Sequence, residues 1–398
     1  MARDRIVVGL EVGTSKVCAV SAELKKDGTI QILGVGEAPS RGVRKGEIVD
    51  IENCGKCIRE ALADAEEKSD VMIKNVYLGI TGAHIQSFNN RGSYTLPDDR
   101  EKVDEGDFAR VQEAARTAPI PSQNMFLHTI LQHYYVDGQD GILNPVGMHG
   151  RKLEADFHII HGVANRVRNS IQCLCDLDIE IEDIVFTPYA AAQAVLDPTQ
   201  KRTGAILVDI GGGTSGYIVY AGGAVKQSGV IGIGGDHITN DLSLGLRIPM
   251  GKAEKLKIEE GSCITGSSIP GETVVLKDEH GFAGRGIERE MLNMIIHMRI
   301  RETFELLKRE LDRGRYQEYA GAGMVLTGGS SALRGIREVA EEIFQMPVQI
   351  CQAQNVAGVT SAFENPQYST AIGLVKYAQA TLDDESGGLF DWFKGWFR

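Results

Sequence analysis

Short apolar runs bounded by glycine-rich corners alternate with longer amphipathic stretches through most of the chain, the pattern of an α/β fold. Ile6–Val20 reads as two β-branched strands around a Gly13-Thr14-Ser15-Lys16 corner. A helix is expected over Ile51–Glu67 and a strand over Asn75–Gly79. From 86 to 163 the rhythm changes. Strands over Met125–Val136 and Leu153–Val163 and a helix over Glu105–Arg116 are separated by polar turns and by Pro119, Pro121 and Pro145, which reads as a small inserted α+β module. Helical spacing returns over Asn165–Cys175 and Pro188–Leu196, and Thr203–Tyr220 repeats the strand–corner–strand pattern. Further helices are expected over Asp236–Leu244 with Asp236 as the N-cap, Lys252–Ile258, Glu288–Leu311, Leu333–Phe344 and Tyr368–Thr381, with a buried strand at Met324–Leu326. Ala380–Gly388 is acidic, rich in small residues and without apolar periodicity, so 381–388 is expected to be a flexible linker.

Composition narrows the function classes. The chain has 398 residues, enough for several domains, with 42% hydrophobic and 24% charged residues as in soluble globular proteins. A net charge of −12 argues against nucleic acid as a partner. No apolar run reaches the ~18 residues of a spanning helix, and the start lacks a signal peptide's apolar stretch, so a cytoplasmic protein is expected. Seven cysteines, an odd number, fit reduced thiols, and Cys54-Gly-Lys-Cys57 has no second pair at ligand spacing to complete a zinc site.

The glycines carry the chemistry. Ile6–Val17 resembles Ile206–Tyr217 at an offset of about half the chain, with Glu11-Val12-Gly13 matching Asp209-Ile210-Gly211. Two such halves, each aiming a carboxylate and a Gly/Thr/Ser corner at a common centre, imply a cleft between lobes. Corners of this composition expose backbone N–H groups that bind phosphate oxygens. Thr14, Ser15, Thr214 and Ser215 can add hydroxyl donors, Lys16 a positive charge, and Glu11 and Asp209 can hold Mg²⁺, directly or through water. A third motif, Met324–Ser331, passes from strand to Gly328-Gly329-Ser330, where backbone can approach a flat ligand. Gly232-Ile233-Gly234-Gly235-Asp236 is a fourth strand-to-helix corner. Neither a Walker nor a Rossmann spacing is present.

Leu10-Glu11-Val12-Gly13-Thr14-Ser15, Val208-Asp209-Ile210-Gly211-Gly212-Gly213-Thr214 and Leu326-Thr327-Gly328-Gly329-Ser330 together resemble the two phosphate motifs and the adenosine motif of the actin-like ATPases. Glu254-x-x-Lys257 is similar to the pair that reaches ribose and adenine there. Gly9–Val17, Gly42–Gly46, Gly79–Gly82 and Asn144–Met148 extend the resemblance over nearly the whole chain to the FtsA family of bacterial division proteins. The resemblance implies a two-lobed actin-like (ribonuclease-H-like) α/β fold with a five-stranded sheet in each lobe. The first lobe would be 1–85 with 164–202 and 368–380, the inserted subdomain 86–163, the second lobe 203–243 with 322–367, and its outer subdomain 244–321.

The resemblance also implies ATP and Mg as cofactors and at most weak ATPase activity. Binding would use Gly13, Thr14, Ser15, Lys16, Asp209, Gly211, Gly212, Gly213, Thr214, Gly234, Gly235, Glu254, Lys257, Gly328, Gly329 and Ser330, with Glu11 and Asp209 as the metal residues and Gln193 positioning water. Implied partners are the FtsZ C-terminal peptide, on a helix carrying Arg299 and Glu302, further copies in filaments, other division proteins and membrane lipid. The implied location is the cytoplasmic face of the inner membrane at the division site. A pilus-assembly adaptor or a soluble kinase of the same fold is the alternative.

The lipid expectation also stands on the tail alone. At 100° per residue, Leu389, Phe390, Trp392, Phe393, Trp396 and Phe397 fall within an arc of about 160° that no polar residue enters. Both tryptophans of the chain lie in this segment, as in an amphipathic interfacial helix.

Overall fold

The computed structural model describes residues 5–266, 269, 271–276, 284–359 and 363–386. The tail residues Leu389, Phe390, Trp392, Phe393, Trp396 and Phe397 lie outside them.

The repeat read in the sequence is a repeat of topology. In the first sheet Arg5–Val12 pairs antiparallel with Lys16–Leu24, which pairs with Ile30–Pro39; on its other edge it runs parallel to Asn75–Ile80 and then Glu180–Phe186. In the second sheet Ala205–Ile210 pairs antiparallel with Ser215–Ala221, which pairs with Ala224–Ile231, and runs parallel to Met324–Thr327 and then Val348–Ile350. Three antiparallel strands and two parallel ones occur in the same order in both. The first sheet departs from the expected five by a sixth, two-residue strand, Ala357–Gly358, which closes its outer edge against Gln31 and Ile32.

Helices cover the sheets where their apolar faces dictate. Ile51–Ser69 is capped by Asp50, whose side chain accepts from the Asn53 N–H, and buries Ile58, Ala61, Leu62 and Ala65. Ile30–Pro39 must be thin beneath it: a Cβ at Gly36 would lie 2.0 Å from the Ala61 carbonyl. In the second lobe Arg289–Asp312 buries Leu292, Ile296, Ile300, Phe304, Leu307 and Leu311, at the three- and four-residue steps of one helix face.

Two expectations are corrected. The helix after the Gly232–Gly235 corner is Gly235–Leu246 with Gly234 as N-cap, so Asp236 lies inside its first turn. The last helix is Ser369–Ser386, so residues 381–386 are helical rather than linker. Leu382 is half-buried against the core, so the helix continues its packing into the stretch whose composition reads as linker.

The insertion forms its own sheet, in the order Gln86–Thr95, Lys152–Val163, Asn124–Val136, Gln139–Ile142, under the helix Glu105–Arg116. It touches both lobes. The Phe186 N–H of the first lobe donates to His128 Nε2 at 2.9 Å. Across the second lobe's edge strand, Ser87 Oγ donates to the Ser228 carbonyl at 2.7 Å and His158 Nε2 hydrogen-bonds Ser228 Oγ at 2.8 Å.

Burial and the nearby Arg116 push His128 down to about 4, and burial pushes His158 down to about 3. An imidazole held neutral in the fold gains its proton on unfolding. Its stabilisation is therefore complete above the ordinary value of 6.5 and drains as pH falls toward those folded values. Between pH 7 and pH 5 each imidazole should remove on the order of 2 kcal/mol, seen as a lower urea midpoint at the acid pH, and His158→Gln should flatten that dependence.

Candidate functional site

The two hairpins meet head-on. Glu11 and Asp209 end the two strands that pair both antiparallel and parallel in their sheets, so each carboxylate emerges at the carboxyl edge of parallel strands, where α/β sheets hold ligands. Both corners close alike: the Gly13 N–H donates to the Lys16 carbonyl at 3.0 Å, and the Gly211 N–H to the Thr214 carbonyl at 2.9 Å. The tips touch across the lobes, since a Cβ at Gly213 would lie 2.4 Å from Thr14 Oγ1 and one at Gly212 3.0 Å from the Ser15 Cβ.

Around this meeting point is a cavity of about 270 Å³. Glu11, Gly13, Thr14, Ser15, Lys16, Asp209, Gly211, Gly212, Gly213, Thr214, Gly235, Glu254, Lys257, Gly328, Gly329 and Ser330 all line it. Burial, then the neighbouring Asp209, pushes the Glu11 carboxyl up to about 8 against the pull of Lys16. Its Oε2 is out of reach of solvent and has no hydrogen-bond partner among the described residues. Burial also raises Asp209, against the Thr370 hydroxyl that donates to its Oδ2 at 2.6 Å. Two carboxylates that crowd one another, one with an orphaned oxygen, form a donor set suited to a hard, hydrated cation.

The other charges are tethered. Lys16 pairs with Glu37 and lies 3.9 Å from the centre of the Tyr368 ring. Lys257, buried, donates to Glu254 Oε2 at 2.7 Å, Thr239 Oγ1 at 2.9 Å and the Gly235 carbonyl at 3.2 Å, which fixes the Glu254–Lys257 pair on the second lobe's wall. Ser330 Oγ donates to the Gly211 carbonyl at 3.2 Å, joining the third motif to the second.

Three expected residues sit elsewhere. Gly234 supports the wall from behind, where a Cβ would lie 2.5 Å from the Gly211 and Gly212 carbonyls. The Ser215 hydroxyl is spent on the Ile233 carbonyl at 2.8 Å. Gln193 is not in the cleft: its Oε1 accepts from Lys201 Nζ at 2.8 Å, and it lines a separate cavity. The cleft is reached by Thr187, at the other end of that helix. Sequence reading missed Thr187, Thr81, Gln367 and Thr370 as lining residues. The Thr187-Pro188 helix start and the Gly79–Gly82 stretch, which contains Thr81, were the available signals among them. It also missed Gly46, whose N–H donates to Thr14 Oγ1 at 2.9 Å and ties the Val43–Ile48 hairpin to the first corner.

Arg299 donates to both oxygens of Asp241, at 2.5 and 3.0 Å, and to Glu302, so its charge is committed within the chain. The same helix exposes Met291, Met294 and Met298 at 46%, 46% and 57%, on one face by their spacing. Among the described residues no helix is long and apolar enough to cross a membrane.

Residues 206–373 match the family model described as cell division protein FtsA, and residues 82–161 match the SHS2 domain inserted in FtsA. The cell division protein FtsA of Pseudomonas aeruginosa is 37% identical over 385 residues, covering 97% of this chain and 91% of that protein. FtsA of Escherichia coli K12 is 34% identical over 387 residues, covering 95% and 91%. Among solved structures, the PilM–PilN type IV pilus biogenesis complex aligns with a TM-score of 0.64 at 16% identity, covering 94% of this chain and 98% of that one. MreB5 of Spiroplasma citri bound to ADP aligns at 0.57 and 16%, covering 96% and 99%. Those two likenesses establish an actin-like fold, while the far higher identities are to division proteins, which disfavours the pilus-assembly and kinase alternatives. On identity along nearly its whole length, the chain belongs to the FtsA family of cell division proteins.

Proposed function

We propose that this protein binds ATP·Mg between its lobes, assembles into filaments with further copies of itself, and tethers FtsZ filaments to the cytoplasmic face of the cell membrane at the division site, where it helps recruit other division proteins. The observation that carries the nucleotide reading is the pair of glycine corners touching across the cleft beside the orphaned Glu11 oxygen. When bound, ATP·Mg supplies a polyphosphate charge that both corners share, with the metal neutralising part of it.

The chain's own residues divide the remaining tasks. Corner N–H groups at Thr14, Ser15, Gly212 and Gly213 would hold phosphate oxygens, Glu11 and Asp209 the hydrated magnesium, and Glu254 and Lys257 the ribose and base. An ADP-bound solved relative of the same fold supports the nucleotide class. Since Gln193 faces away from the cleft, it is no longer a candidate for positioning water.

For FtsZ, the exposed methionines supply what the committed Arg299 does not. Flexible thioethers on a helix face suit an apolar peptide side chain, with Glu302 at the rim. Met298→Glu should weaken binding of the FtsZ C-terminal peptide by about tenfold or more, equivalent to ~1.4 kcal/mol, without lowering the urea midpoint. The tether itself is tested by sedimenting FtsZ filaments with liposomes. They should pellet with lipid only when this protein is present, and poorly with Met298→Glu; filaments that pellet equally without it would refute the tether.

A further inference from the structure

The cavity that holds Gln193 is about 180 Å³ and shares no lining residue with the cleft. Gln193, Asp197, Lys201, Gln354, Asn355 and Lys376 supply its polar wall. Lys201 stands on the short helix Pro198–Thr203, its Nζ donating to Gln193 Oε1 at 2.8 Å and lying 5.3 Å from the centre of the Tyr220 ring. Lys376 comes from the last helix, Ser369–Ser386, and has no hydrogen bond or ion pair among the described residues. Among the described residues the single carboxylate in the wall is Asp197. It caps Pro198–Thr203, accepting from the Gln200 N–H at 2.8 Å, while the Asp197 N–H donates to Gln200 Oε1 at 3.0 Å.

Among the described residues, two lysines and one carboxylate, already engaged as a helix cap, thus line one small space. Folded proteins ordinarily pair charges that they withdraw from water. Burial, then the charge on Lys376, pushes Lys201 down to about 8, and burial lowers Lys376 as well. The Gln354 and Asn355 amides add neutral polar groups to the wall beside the two lysines. In volume the space is similar to the ~150 Å³ cavities that admit a benzene-sized guest.

Its place in the fold is equally specific. Residues 187–204 carry the chain from the first sheet to the second, and residues 351–356 carry it back. The two crossings are joined by the Gln354 N–H donating to the Ala194 carbonyl at 3.0 Å. An occupant of this cavity would touch both crossings and the last helix at once.

We propose that this cavity binds a small divalent oxyanion, inorganic phosphate or a short phosphomonoester, between Lys201 and Lys376. The test reads Lys201 directly, so that phosphate in the nucleotide cleft does not confuse it. The full-length protein is acylated with acetic anhydride over a range of pH, with phosphate or with chloride at equal ionic strength, and modification is measured by mass spectrometry with exposed Lys26 as the internal standard. Phosphate should slow acylation of Lys201 by roughly fivefold at saturation and move its titration upward, because a bound anion favours the ammonium form. Lys376→Gln should abolish that protection. Protection by glycerol phosphate as well would assign the phosphomonoester class, and protection by inorganic phosphate alone would assign the free ion. Equal acylation of wild-type Lys201 in phosphate and chloride, or undiminished protection in a folded Lys376→Gln protein, would overturn the proposal.

Discussion

Replacing Gly328 by alanine should destabilise the protein by about 3 kcal/mol and abolish nucleotide binding. Gly328 follows the strand Met324–Thr327 with φ +85° and ψ 164°, a conformation that L-residues adopt only under strain. Strain alone costs ~1–3 kcal/mol. The methyl would also lie 2.2 Å from Asp209 Oδ1 and 2.8 Å from both the N and O of Ile210. Those backbone atoms belong to a central strand paired on both sides and cannot retreat, and Asp209 is held by Thr370. The side chain that yields is therefore the carboxylate proposed to hold magnesium. Gly251→Ala is the control: it lies in the helix Met250–Glu260 with open space around it, and alanine there should raise stability by ~0.5–1 kcal/mol. Urea unfolding and nucleotide titration of the two variants would separate a folding effect from a binding effect. Wild-type nucleotide affinity in Gly328→Ala would remove the third glycine motif from the site.

The cleft was legible in the sequence because both of its corners are local. Each is a hairpin whose register is set by the turn, so Glu11 and Asp209 could be placed at strand ends without tertiary information. Gln193 was not legible, because residues 190–194 are nearly all alanine. Such a helix offers no polar face to phase it, and packing on both sides, by the last helix and the second sheet, decides which residue turns toward the cleft. The strands Ile30–Pro39, Glu180–Phe186 and Ala224–Ile231 escaped for other reasons. The first is interrupted by Gly34 and Gly36, which a crossing helix requires, and the other two carry polar residues suited to sheet edges. Arg299 was found by resemblance, but only coordinates reveal that Asp241, far from it in sequence, already claims its guanidinium.

Ending the chain after Gly388 should abolish ATP-dependent sedimentation with liposomes, a loss of about 100-fold or more in apparent affinity. The six apolar side chains of the tail, partly inserted, gain at most ~1.5–3 kcal/mol each. Ordering ten residues costs ~1–2 kcal/mol apiece, and a helix so short is marginal in water. Asp391 offsets one of Lys394 and Arg398, so the segment's side chains leave a net charge of about +1 and anionic lipid adds only modest attraction. On the proposed tether, one tail would therefore bind weakly and reversibly. A filament that presents many tails turns each later insertion into an intramolecular event, which is why nucleotide-driven assembly and membrane attachment should rise together. Intact protein that pellets equally with and without ATP·Mg would refute this coupling, and a truncated protein that pellets as well as the intact one would refute the tail as anchor. Trp396→Glu distinguishes insertion from mere presence of the segment: it keeps the length but buries a charge in the apolar arc, and should behave as the truncation does.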